Sequence, residues 1–172
     1  MMKFKKVLPS SLLVIFGLMA CRESPDLETV LEVDYHRYMG AWYEIARLPN
    51  RFEKGLSRVS ATYTYREDGN IKVLNKGYTK DGKLKKSVGK AYVPDTLQPG
   101  RLKVQFFWPF AGDYFIIDLD TEYQYALVGS PNRKFLWILS RQKTLPQATT
   151  TALLQLAKSK GFDVAKMEEI QQ

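Results

Sequence analysis

The chain has 172 residues, 45% of them apolar and 13% aromatic, which is enough for one domain with a real core and too little for a multidomain enzyme. Its formal charge of +8 falls to about +5 once Lys3, Lys5 and Lys6 of the leader are set aside, and bases and acids alternate along the rest, the pattern of a solvated mixed surface. One cysteine and one histidine exclude an intramolecular disulfide, a His/Cys metal set and a Cys–His nucleophile pair; no cofactor is implied.

In chain order, the basic start and the apolar run Leu12 to Ala20 read as a secretory signal over residues 1–20, since that run is less than half the roughly twenty residues a membrane-spanning helix needs. Leu18-Met19-Ala20-Cys21 resembles the lipobox of bacterial lipoproteins. That resemblance implies cleavage before Cys21, acylation of its thiol and amine, and, with Arg22 following, an outer-membrane anchor facing the periplasm. More than one acyl chain holds a protein firmly. Residues 21–32, polar and interrupted by Pro25, read as a tether ahead of a domain over 33–172.

Eight β-type segments follow at intervals of about ten residues, the signal of an antiparallel sandwich or barrel. They are Trp42–Arg47, Arg58–Arg66, Ile71–Tyr78, Lys85–Val93, Arg101–Phe107, Tyr114–Asp120, Tyr125–Gly129 and Phe135–Arg141. Asp68-Gly69-Asn70, Asp81-Gly82, Pro99-Gly100, Ala111-Gly112 and Pro131-Asn132 supply the reversals. The last segment is apolar on both faces, so its outer face needs a cover. Thr144 and Gln147 are spaced as a capping box, Leu145, Ala148, Ala152, Leu153, Leu156 and Ala157 form a stripe, and Gly161 ends the helix that would provide it. Phe162 to Ile170 can return to the sheet edge.

Gly40-Ala41-Trp42, continued by Tyr43-Glu44-Ile45-Ala46-Arg47, together with Asn75-Lys76-Gly77-Tyr78, Gly89-Lys90-Ala91-Tyr92, Tyr125-Ala126-Leu127-Val128 and Leu136-Trp137-Ile138-Leu139-Ser140-Arg141, resembles the lipocalin family, in its bacterial and apolipoprotein D-like branch. The likeness runs over nearly all of the mature chain. Asp120-Thr121-Glu122-Tyr123 departs from the family's Thr-Asp-Tyr and leaves Asp120 without an assigned role. The resemblance implies an all-β fold: an eight-stranded antiparallel up-and-down barrel with one C-terminal helix packed outside. Gly40, Trp42 and Arg141 take structural roles, with Trp42 plugging the base and the Arg141 guanidinium lying on its indole.

Alternation from Val59, Ala61 and Tyr63 carries the inner face to Val73 and Asn75, Ala91 and Val93, Leu102, Val104 and Phe106, Tyr114 and Ile116, Val128, and Trp137 with Leu139. This apolar set with a few polar tips is the composition of a small-molecule pocket, and Asn75, Tyr114 and Trp137 each need a partner, from a ligand or from the protein. Arg51 and Lys54 fall in the loop over the open mouth. The reading is a membrane-anchored carrier or store of fatty acid or lysophospholipid in the envelope, with a second copy of the chain as a candidate partner. Two rival classes stand beside it: a structural or assembly lipoprotein with a packed barrel, and a small-molecule enzyme. Glu44 is the one acid aimed inward on the first strand, with no second carboxylate beside it, which argues against the enzyme. Phe106-Phe107-Trp108-Pro109-Phe110 is an aromatic cluster at a loop beside the mouth, and three readings of it stay open: contact with the membrane, contact with a second copy of the chain, or folding over the barrel.

Overall fold

Period-two alternation and the turn residues produce eight strands: β1 (Gly40–Arg47), β2 (Ser57–Tyr65), β3 (Ile71–Tyr78), β4 (Leu84–Tyr92), β5 (Arg101–Phe107), β6 (Phe110–Leu119), β7 (Tyr125–Gly129) and β8 (Leu136–Ser140). Each pairs antiparallel with the next, and β1 closes the barrel by pairing with both β8 and β2. The computed structural model describes residues 26–172, so the signal segment and Cys21 lie outside the described residues. Loops alternate between two ends: the β2–β3, β4–β5 and β6–β7 loops and helix α1 (Tyr35–Tyr38) form the base, and the other four strand connections form the mouth.

Two local expectations are corrected. The β5–β6 reversal is at Trp108-Pro109, joined by a cis peptide, and Ala111-Gly112 belongs to β6, where Gly112 pairs with Val104 and Phe110 with Phe107. In β1 the register on β8 shifts between Glu44 and Ala46, so Ile45 and Ala46 both join the outer core and Arg47 faces Trp137 on the inner side. A bulge of this kind re-aims every side chain beyond it.

Helix α2 (Gln147–Ser159) covers the outer faces of β6, β7, β8 and β1, where Leu153, Ala157 and Phe162 pack with Ile45, Ile117, Leu127 and Ile138. The capping box is absent: Pro146 is the N-cap in extended conformation, so the helix begins beyond Thr144, and no side chain caps it. Ala148 and Ala152 are exposed, while Leu154 packs on the core. The other end closes in a Schellman motif, with Phe162 N–H donating to Ala157 C=O and Gly161 N–H to Lys158 C=O. A two-residue strand, β9 (Glu168–Glu169), then pairs with β1 at Ala46 and Arg47, the stretch that β2 leaves unpaired.

Residues 26–32 are not a free tether. Leu27 is 0% exposed within the outer core, Val30 N–H donates to Ile116 C=O, Asp26 pairs with Arg101 and Glu28 with Lys160. Apolar side chains at 27 and 30 dock the segment on β5 and β6, which a reading dominated by its charges overlooked. Leu27→Ala is therefore expected to lower stability by about 2–4 kcal/mol in urea unfolding, whereas a solvated tether residue would cost nothing measurable.

Candidate functional site

The base is closed by Trp42, fully buried, whose indole N–H donates to Tyr38 C=O at 2.8 Å. Arg141 lies over that indole at 3.9 Å and donates to the carbonyls of Ala41 (2.8 Å), Arg37 (2.6 Å) and Tyr123 (3.3 Å). Those bonds fix the guanidinium as a staple between β1, α1 and the β6–β7 turn. Gly40 sits beneath it at φ +94°, a conformation that a residue with a Cβ adopts only with strain. The Asp34 carboxylate caps α1 by accepting from His36 and Arg37 N–H, which places His36 in the base. Asp120 accepts from Gln124 N–H and so shapes the β6–β7 turn.

Above Trp42 lies a layer of phenols. Tyr114 OH is 2.7 Å from Tyr38 OH and 2.9 Å from Tyr63 OH, and the Tyr38 ring rests 5.0 Å from the indole. Burial raises the pKa of all three hydroxyls, so they stay neutral and satisfy one another. Of the three polar tips read from the sequence, Tyr114 thus has protein partners. So has Trp137, whose N–H donates to the Glu53 carboxylate at 3.0 Å. Only Asn75 keeps a buried Oδ1 without a hydrogen-bond partner.

The β1–β8 side of the mouth is filled by charge. Arg47, 2% exposed, donates to Glu44 at 2.8 Å and to the carbonyls of Glu53 (2.7 Å) and Leu56 (3.4 Å), and Asn50 holds the Glu53 carboxylate at 2.7 Å. Burial and the nearby Glu53 carboxylate push the Glu44 pKa well up, against the opposing pull of Arg47. Glu44 therefore has a second carboxylate beside it after all. It comes from the β1–β2 loop, which strand parity cannot locate.

The opposite side is apolar. Ala61, Val73, Ala91, Val104, Phe106, Ile116, Val128 and Leu139 line one interior cluster with Tyr63, Tyr114 and Trp137, and Val93 and Leu102 belong to it as well. Ile71 and Ala126 complete that wall and were not singled out in the sequence. Val59 is buried at the mouth beside Leu56, above Gly77. Toward the mouth Asn75, Val104 and Phe106 keep accessible surface on the inner face. There β4 parts from β5, since their pairing is confined to Lys90–Tyr92 against Lys103–Gln105. Ser87 and Lys85, opposite Asn75 and Gly77 on the same face, are exposed. Phe106 swings over Gly89, where any Cβ would come within 2.7 Å of its ring. Two surface clefts lie outside the barrel, beside Glu28–Leu31 and between Pro94 and Phe115.

A closed eight-stranded barrel with a tryptophan plug, an arginine staple and an outer helix is a specific combination, and residues 33–172 match the family described as Lipocalin-like domain. The chain belongs to the lipocalin family. Over 140 residues, 81% of this lipocalin and 79% of the relative, it is 49% identical to the outer membrane lipoprotein Blc of Escherichia coli K12. It is 43% identical to the Blc of Citrobacter freundii over 173 residues, 97% and 98% of the two chains. Insecticyanin from the tobacco hornworm Manduca sexta shares the fold with a TM-score of 0.69 at 22% identity, covering 86% of this chain and 85% of that one.

Proposed function

We propose that this lipocalin carries or stores a fatty acid or lysophospholipid in its barrel and is anchored through acylated Cys21 to the outer membrane, on the periplasmic side. The observation that supports the reading is the apolar inner face on the β3–β5 side, which keeps accessible surface at Asn75, Val104 and Phe106 toward the mouth and carries one unpartnered acceptor, Asn75 Oδ1. Buried aliphatic chain contributes about 0.8 kcal/mol per CH₂, so an acyl tail is held without elaborate recognition. A head-group hydroxyl supplies the donor that Asn75 lacks. The relatives named outer membrane lipoprotein, one of them aligned over 97% of the chain, support the location.

Fluorescence titration tests the assignment. Asn75→Val is expected to weaken lysophospholipid binding about five- to tenfold, the loss of one hydrogen bond, and to leave a fatty acid's affinity within twofold because the acyl contacts persist. Equal loss for both ligands, or none for either, contradicts the placement of Asn75.

A further inference from the structure

We infer that the mouth of the barrel is a second membrane contact, a surface that docks on an anionic phospholipid bilayer with the β5–β6 hairpin tip inserted. Phe107, Trp108 and Phe110 are 71%, 86% and 77% exposed at that tip, and Phe52 is exposed on the β1–β2 loop at the same end. Monomeric proteins seldom leave such a group in water, and tryptophan in particular favours the headgroup level of a bilayer.

Charge selects the occupant. Arg51, Lys54, Lys80, Lys83, Lys85 and Lys86 all lie at the mouth, none within ion-pairing distance of an acid among the described residues. Of the acids at that end, Glu53 is held by Trp137 and Asn50, Asp113 by Lys103 and Asp81 by Thr79, while Glu168, beside Glu169 on β9, lies 3.9 Å from Arg47, so the bases still outnumber them. The base carries the opposite sign: Asp34, Glu67, Asp68, Asp95, Asp120 and Glu122 outnumber its bases, of which Arg37 and Arg66 are paired to two of these acids, Arg141 is bound to backbone carbonyls and Lys143 lies over the Tyr43 ring. In sequence order these charges interleave, because successive loops of an up-and-down barrel fall at alternate ends. In space they separate along the barrel axis, so an anionic surface draws the mouth toward it and turns the base away. Apolar tips ringed by unpaired lysines fit a bilayer of anionic lipid; a second copy of the chain would bring like charges together.

Chain length is compatible. Asp26 is held at Arg101, about 20 Å along β5 from Phe107, and four residues separate it from Cys21, so five Cα–Cα steps give a reach of at most about 18 Å. Barrel strands tilt by about 40° from the axis, so those 20 Å span only about 15 Å of barrel height, within the reach of the linker, and an acyl anchor at Cys21 and an inserted hairpin can meet one membrane face. The docking surface itself does not depend on acylation.

The test uses residues 21–172 with Cys21→Ser, which carries no acyl group, and vesicles of phosphatidylcholine with or without phosphatidylglycerol. The chain is expected to co-sediment with the phosphatidylglycerol vesicles and to have its tryptophan fluorescence quenched by brominated acyl chains. Trp108→Ser with Phe110→Ser should weaken binding at least about tenfold, and Lys80→Glu with Lys83→Glu and Lys86→Glu should do the same, while unfolding midpoints and lysophospholipid uptake into the barrel stay unchanged. Uptake measured in parallel separates failure of this inference from failure of the carrier reading. Absence of vesicle binding, binding indifferent to phosphatidylglycerol, or a concentration-dependent dimer that shields Trp108 without vesicles would each overturn it.

Discussion

Arg47→Met is expected to cost about 3 kcal/mol or more at neutral pH, among the largest single-site losses in this barrel. Its guanidinium donates to the Glu44 carboxylate, which has that of Glu53 nearby, and ties the carbonyls of Glu53 and Leu56 to β1. Methionine fills similar volume but leaves Glu44 and Glu53 without the cation that offsets their repulsion. The sign of the accompanying pH effect follows from the raised Glu44 pKa. The native state holds that proton more tightly than the unfolded chain, so the stability it contributes is fully present below the usual carboxylate value of 4.5 and is lost as pH rises through the elevated one. The limiting slope for one proton is about 1.4 kcal/mol per pH unit. Removing Arg47 takes away the group that opposes the shift, so the window extends to higher pH. Urea midpoints between pH 5 and 8 should show Arg47→Met recovering much of its loss at the acid end, and Glu44→Gln should flatten the slope in either background. A pH-independent loss would place the cost in packing alone.

Trp42→Ala is expected to lower stability by about 3–5 kcal/mol, and its effect reaches further than the cavity it leaves. The indole is the surface on which Arg141 lies, the donor to Tyr38 C=O, and the support beneath the Tyr38 ring. Without it the tyrosine layer loses its floor and the staple its platform. Trp42→Phe should recover part of the loss, because a ring still meets the guanidinium. Trp108→Ser, at an exposed hairpin tip, should leave the urea midpoint nearly unchanged. Comparable losses for Trp42→Ala and Trp108→Ser would contradict the assignment of the base as the structural end.

Much of this was legible from residues. The Trp42–Arg141 pairing, the outer helix and the inner-face set follow from motif, alternation and an apolar last strand. What escaped has physical causes. The bulge in β1 flips parity after Glu44, so strict alternation would turn Arg47 outward, whereas it is among the most buried polar side chains. Glu53 enters from a loop, and Tyr38 from a four-residue helix ahead of the barrel, where strand periodicity says nothing. Asp26 to Glu32 read as polar because two docked apolar side chains are a weak signal among charges. The separation of basic mouth from acidic base is invisible in linear order and becomes plain only when alternate loops are assigned to opposite ends. The family resemblance supplied the barrel's closure, which alternation leaves open between barrel and sandwich.

The central claim is that the barrel interior houses an acyl lipid. Native mass spectrometry of protein purified without detergent exchange tests it most directly. The expected spectrum contains an adduct with the mass of a fatty acid or lysophospholipid, displaced by added lysophospholipid together with a change in Trp137 fluorescence. A spectrum of bare protein, with that fluorescence unmoved across the titration, would contradict the account.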